Sequence, residues 1–321
     1  MISEGAVRGW RALTADDGRL RVTVLPEKGA EIYELVDAES GLDVLFKAPW
    51  GLQPPGSPPR EGWDGHAFLE NYGGGWQELF PSANDPCTYR GAAIPFHGEV
   101  ASLPWRAEQD GESLVLSVDS RLTPLRLERR MRLEDGSLVL DETATNLAEG
   151  PVHLVWGHHC VVGAPFLEAG CRLEVPGRTI VSLPELWEET ARLAPDQRST
   201  WPHARLRAGG SVDLRLVPGP EEGSHDDVYV TDLDAGYAEV TNPRLGLAFR
   251  LDWDVEVFRW VIVWQPYGGA RAMPLTGAYA LGVEPWVSRL DLERAVAAGE
   301  AIELSGGGEL RTTVRAQVRR L

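Results

Sequence analysis

Glycine and proline punctuate this chain more than any other feature, with 35 glycines and 23 prolines among 321 residues. Neither suits a helix interior: glycine loses the most backbone entropy on ordering, and proline lacks the N–H and clashes with the preceding turn. Long helices are therefore excluded, and the segments between the breaks read as strands. Leu310, Thr312, Val314, Ala316 and Val318 alternate with polar neighbours, the period of two that a half-buried strand requires. Leu125, Leu127, Met131 and Leu133 alternate in the same way with Arg126, Glu128, Arg130 and Arg132, and Arg129 alone breaks the pattern. Asp135-Gly136 then predicts a tight turn into Ser137–Thr145, making a hairpin. Similar runs predict strands at Leu20–Leu25, Leu114–Ser120, Val212–Val217, Val228–Thr231, Leu247–Leu251 and Val257–Trp264.

One helix is predicted, from Asp291 to Ala298, with Asp291 as its cap and Gly299 as its stop. Many short strands and one short helix point to a large antiparallel β-sandwich. Length alone suggests about two domains of roughly 150 residues, but large all-β folds often exceed that prior. Composition does not shift along the chain, so the expectation is a single domain over residues 1–321. Pro49–Gly62, rich in proline and glycine, reads as a long loop expected to border a cleft.

Charge and composition remove several function classes. The chain has 31 basic and 48 acidic residues, a formal charge of −17, which repels nucleic acid and anionic membrane surfaces. Hydrophobic residues at 43% and charged residues at 25% are those of a globular protein rather than a disordered one. Cys87, Cys160 and Cys171 have neither zinc spacing nor an even count, so a reducing compartment fits. Charged residues interrupt the first thirty positions, and the most apolar stretch, near Trp260–Trp264, is far too short to span a bilayer. A cytoplasmic location is expected. No phosphate-binding loop, dinucleotide fingerprint, HExxH or GxSxG motif is present.

Four polar positions in apolar surroundings remain as candidates. His97 lies between Phe96 and Gly98, the position of a strand end facing a cleft or of a turn. His158 and His159 follow Val152–Trp156; on a strand they point to opposite faces, so at most one faces a given pocket and the other is a core histidine. Asp226 and Asp227 precede Val228–Thr231. Glu284 closes an apolar run before Pro285, either solvated at a sheet rim or held in a cleft with a raised pKa. Trp286, Trp260, Trp264 and Trp76 could supply the flat apolar faces on which sugar rings stack.

In that order these segments resemble the aldose 1-epimerase, or galactose mutarotase-like, family from about Leu20 to Val318. Gly74-Gly75-Trp76-Gln77-Glu78-Leu79-Phe80-Pro81 is similar to the family's segment before its first histidine, and Pro95-Phe96-His97-Gly98, followed by Trp105, to its HG motif. Gly157-His158-His159 with Ala164-Pro165-Phe166 resembles the segment of the acid histidine, Asp226–Tyr229 that of a sugar-binding aspartate, and Leu281–Pro285 that of the base glutamate.

The resemblance implies a large β-sandwich with an open sugar cleft and no cofactor or metal. It implies that Glu284 takes the proton of the anomeric hydroxyl while His159 protonates the ring oxygen, with His97 and Asp226 holding sugar oxygens. The expectation is that His97, His159, Asp226 and Glu284 converge with Trp264 or Trp286, and that Gln265 reaches the sugar. The partner would be a small-molecule sugar, interconverted between its anomers. Glu99-Val100-Ala101-Ser102 and Asn71-Tyr72-Gly73 stand where relatives carry arginines, so a neutral sugar is expected unless Arg60, Arg90 or Arg271 folds into the cleft. A hexose-phosphate epimerase and a non-catalytic sugar-binding protein are the alternatives.

Overall fold

The computed structural model describes residues 1–58, 66–186 and 188–321. A 12-stranded sheet and an 8-stranded sheet dominate the structure. The middle of the larger sheet runs, in spatial order, Glu31–Asp37, Trp76–Leu79, Gly157–Gly163, Ala280–Trp286, Trp260–Tyr267 and Ser224–Thr231. The smaller runs Arg172–Glu174, Tyr237–Asn242, Leu247–Asp252, Glu309–Arg320, Ser137–Asn146, Leu125–Glu134, Ser113–Asp119 and Arg106–Asp110. Their pairings are antiparallel, and one hydrophobic core reaches from Leu13 to Ala316. This is the β-sandwich expected from the period-two pattern.

The local signals carry over where turn chemistry was explicit. Leu125–Glu134 pairs with Ser137–Asn146 across Asp135 and Gly136, whose φ values of 52° and 79° give the turn the hand that suits twisted strands. Leu292–Ala298 is helical; the Asp291 side chain accepts from the Arg294 N–H at 3.0 Å, and Gly299 ends the helix in the left-handed region. Three strands differ from expectation: one begins four residues early, at Ser224 rather than Val228. Of Val212–Val217 only Val212 and Asp213 lie in a strand, Ser211–Asp213, because the Asp213 carboxylate accepts from the Arg215 N–H and guanidinium and turns the chain. Val257 lies in a turn gathered by Asp254, and the strand runs instead from Trp260 to Tyr267. A second short helix, Ala67–Asn71, is a single turn with no side-chain cap, too short to leave a period in the sequence.

The exception at Arg129 has a physical cause. Its parity is that of Leu127 and Met131, so it projects into the interior, where it is fully buried. There its guanidinium donates to Glu78 Oε1 at 2.6 Å, to Glu142 Oε1 at 3.0 Å and to the Ala30 carbonyl at 2.9 Å. His158 lies 3.2 Å from both Glu78 and Glu142, and the Trp156 indole donates to Glu78 Oε2 at 2.7 Å. Glu78 and His158 belong to the larger sheet and Arg129 and Glu142 to the smaller, so the cluster ties the two layers together. Leaving any member unpaired in this interior would be costly.

Burial alone would lower His158, but the two carboxylates overcome it and lift the imidazole to about 9. A folded-state pKa above the unfolded value of roughly 6.5 stabilises the protein below that value, and the contribution is lost as pH rises through about 9. The melting temperature is therefore expected to decline between pH 6.5 and 9, and the decline to flatten in a folded His158→Gln protein. A wild-type melting temperature that stays level across that window would count against a charged His158.

Candidate active site

Backbone pleat decides which side chains reach the cleft. In the larger sheet Gly157 pairs with Trp286, Trp260 with Trp286, Ile262 with Glu284, and Tyr229 with Ile262. Directly paired residues share a face, so His159, Glu284, Trp286, Ile262, Trp264, Asp227 and Tyr229 project to one side, away from the Arg129 cluster. They line a cleft of about 490 Å³, joined by Tyr72, Phe96, His97, Asn84, Leu183–Leu186, Arg289 and Arg294. Two glycines make room for this surface. A Cβ at Gly157 would stand 2.6 Å from the Trp286 ring, and one at Gly282 would stand 2.4 Å from Glu284 Oε1.

His159 Nε2 faces Glu284 Oε1 at 3.7 Å on the cleft floor. The His159 ring is packed among Phe68, Tyr72, Trp264 and His97, with ring centroids 5.1 to 5.8 Å away. His97 arrives from a loop in the left-handed conformation, φ 63°. Its Nδ1 accepts from the Asn84 N–H at 3.1 Å, which leaves the proton on Nε2. Asn84, also left-handed, donates through Nδ2 to the Tyr229 hydroxyl at 3.1 Å and to the Arg289 carbonyl at 2.7 Å.

Burial dominates the pKa shifts of the cleft's titratable groups. Burial lowers His159 to about 3. Burial, with lesser pushes from His159 and His66, holds His97 well below the usual histidine range. Burial raises Glu284 well above the usual carboxylate range; Asp227 reinforces the shift and Trp286 opposes it. Asp227 itself is raised by burial to about 6, against a downward pull from His225.

The sequence expectations divide cleanly. His97, His159, Glu284, Trp264 and Trp286 meet in the cleft. Asp226 does not: its carboxylate accepts from the Arg192 N–H and Nε, each at 2.7 Å, and from the Leu193 N–H at 3.0 Å. The strand begins at Ser224 rather than Val228, so both aspartates lie within it, and the pleat sends Asp227 to the cleft and Asp226 away. Gln265 pairs with Asp226 and shares its direction, outside the cleft lining. His158 is the core histidine and Trp76 packs against it in the interior, so neither faces a ligand. Residues 49–58 of the proline-rich loop do not line the cleft, although the Trp50 indole donates to the Tyr72 carbonyl behind its wall at 2.6 Å. Residues 59–62 and Arg60 lie outside the described residues. Arg90 and Arg271 are not at the cleft, whereas Arg289 and Arg294 are.

Asn84, Tyr72, Asp227, Tyr229 and Arg289 were missed by sequence reasoning. The parity of Asp227 with Tyr229 was the available signal, hidden by the misplaced strand start. Behind Trp264 lies a further support: its indole donates to His225 Nε2 at 2.8 Å, and His225 Nδ1 faces Glu188 Oε1 at 3.3 Å. Glu78, Glu142 and His158 carry the right atoms for a metal, all within 4.8 Å of one another. Arg129 already occupies both carboxylates, however, and the set faces the interior.

Residues 7–318 match the model of a family described as a domain of unknown function, DUF4432. The chain belongs to this family. No curated protein matches the sequence. The DUF4432 fold is nevertheless shared with solved structures. A Klebsiella pneumoniae protein provisionally named an aldose 1-epimerase superposes with a TM-score of 0.74 at 16% identity, covering 99% of this chain and 83% of its own. A Synechocystis protein gives 0.70 at 17% identity over 100% and 96%. A galactose mutarotase-like protein from Clostridium acetobutylicum gives 0.65 at 13% over 100% and 99%. The scaffold is therefore the galactose mutarotase-like β-sandwich. Among the described residues no helix is long and apolar enough to cross a membrane.

Asp226 and Glu188 pin residues 188–193, beside the cleft wall at Leu183–Leu186. Asp226→Ala would leave two backbone N–H groups and the Arg192 Nε without their acceptor, a loss of about 3 kcal/mol for one side of a buried pair. Amide exchange across residues 188–194 is expected to accelerate in that variant while the His158 region stays protected. Equal protection of 188–194 in both proteins would show that Asp226 is not the anchor.

Proposed function

We propose that this protein is an aldose 1-epimerase, a mutarotase whose single domain binds one sugar in the cleft and interconverts its anomers. The observation that carries the reading is the buried His159–Glu284 pair, 3.7 Å apart and open to the cleft. Burial disfavours both charges, which favours a neutral His159 beside a protonated Glu284 over the separated ion pair. Mutarotation needs just such a pair. When sugar binds, the proton of the pair passes from Glu284 to His159. In the ring-opening step Glu284, now a carboxylate, takes the proton from the anomeric hydroxyl, and His159, now an imidazolium, gives its proton to the ring oxygen as the C1–O5 bond breaks. Rotation about C1–C2 presents the other face of the aldehyde, and the same two transfers run in reverse to close the ring. No net proton is exchanged with solvent.

The remaining roles follow from what each side chain offers. His97 presents Nε2–H as a donor to a sugar oxygen, because its Nδ1 is already used by Asn84. Asp227, rather than Asp226, is the carboxylate available to sugar hydroxyls. Trp264 and Trp286 supply apolar walls against which the C–H face of a pyranose packs. Positioned proton-transfer groups contribute about 10²–10⁴-fold each, enough for a reaction that already proceeds in water. The mutarotase-like fold of the solved structures raises the prior for this chemistry, and the cleft's own residues supply the argument.

Glu284→Gln retains size and hydrogen bonding but cannot accept the proton. Anomer exchange measured by NMR at saturating sugar is expected to fall by roughly 10²-fold or more, with sugar binding and melting temperature retained. Undiminished exchange in the folded variant would exclude Glu284 as the base. A wild-type protein that binds sugar and never speeds exchange would be a binding protein instead.

A further inference from the structure

Resting on the reading that the cleft takes a sugar, we infer that the sugar carries one negative charge, a carboxylate of the hexuronate kind, received by the Arg289 guanidinium. Among the described residues two arginines line the cleft. Arg294 is already neutralised, because its guanidinium pairs with Asp291 and with Asp85. Arg289 has no carboxylate within ion-pair distance among the described residues. Its guanidinium instead lies over the Trp260 ring, 5.7 Å from the centroid. An aromatic face holds such a group in place without consuming its donors.

The position of Arg289 is built rather than incidental. Its carbonyl accepts from Asn84 Nδ2, and the same Asn84 holds His97 through its N–H and Tyr229 through its second Nδ2 contact. One asparagine thus ties Arg289 to two other cleft residues. Trp260 pairs with Trp286 in the sheet, which sets Arg289 beyond Trp286. A sugar seated between His159, Glu284 and Trp286 would direct a substituent toward that end of the cleft.

Charge decides between kinds of anion. The chain carries −17 overall, and Asp85 and Glu185 also border the cleft. One unpaired guanidinium can balance a monoanion bidentately, while the second charge of a phosphate dianion would meet repulsion, with no further unpaired arginine lining the cleft among the described residues. The absence of arginine from the family-like motifs led to the expectation of a neutral sugar; Arg289 lies outside those motifs and reaches the cleft through the fold.

The test compares anomer exchange of a hexuronate, its neutral hexose parent and the hexose 6-phosphate, using wild type, Arg289→Met and Arg289→Lys. The expected result is a wild-type kcat/KM for hexuronate about tenfold or more above both other sugars. That advantage should vanish in Arg289→Met, largely survive in Arg289→Lys, and shrink at high salt. A parent or 6-phosphate processed as well as hexuronate, or an advantage untouched by Arg289→Met, overturns the inference. Calorimetric binding of hexuronate to Glu284→Gln separates this from the mutarotase reading. Arg289-dependent binding without any wild-type exchange would sink the catalytic assignment alone, whereas exchange that favours the neutral parent would sink the anion site alone.

Discussion

The buried contact among Arg129, Glu78, Glu142 and His158 is the constraint on which the rest of the molecule depends. Two acids from opposite layers share one guanidinium and one imidazole in an interior otherwise filled by aliphatic and aromatic side chains. Hydrophobic contacts tolerate sliding, but charges buried this deeply do not, because a misaligned layer would strand one of them without a partner. The cluster therefore sets the register of one sheet on the other. Glu78 and His158 are next in sequence to Gln77 and His159, and the pleat turns neighbours to opposite faces. Holding His158 inward presents His159 to the cleft.

The cleft and the cluster solve opposite electrostatic problems on the two faces of one sheet. Inside, acids and bases are paired, so charge survives burial and His158 is lifted to about 9. In the cleft, the carboxyl facing His159 is Glu284, itself held toward its neutral form by burial, so desolvation prevails and takes His159 to about 3. Adjacent histidines in one strand are thus shifted in opposite directions, His158 up and His159 down. A neutral His159 and a Glu284 held toward its protonated form are ready for proton transfer because neither is locked into a strong ion pair.

The two aspartates show the same division one strand-pair away. Asp226 accepts three hydrogen bonds from residues 192–193 and acts as an anchor for the cleft wall. Asp227 reaches the cleft, where burial lifts it to about 6. Family resemblance locates the segment but cannot choose between neighbours, since a one-residue shift in a strand exchanges the faces.

Sequence by itself determined what depends on short range. Period-two alternation, the Asp135-Gly136 turn and the Asp291 cap specify strands, a hairpin and a helix through the backbone's own geometry, and the ordered motifs specify the mutarotase-like sandwich. His97, His159 and Glu284 were legible because each sits in a local pattern that resembles a known one, and Trp264 and Trp286 as the flat aromatic faces a sugar ring needs. Tertiary structure decided the rest. Arg129 reads as a fault in an amphipathic strand until Glu78 and Glu142 arrive from 51 and 13 residues away. Asn84 reads as a turn residue until it meets Arg289, 205 residues on. Nor does anything near Arg289 in sequence mark it as a cleft cation; it becomes one because the fold ties Arg294 to two acids and leaves Arg289 over an indole ring. Pairings of buried charge are non-local by nature, and only the packing of the two sheets reveals which charges are matched and which remain open to a ligand.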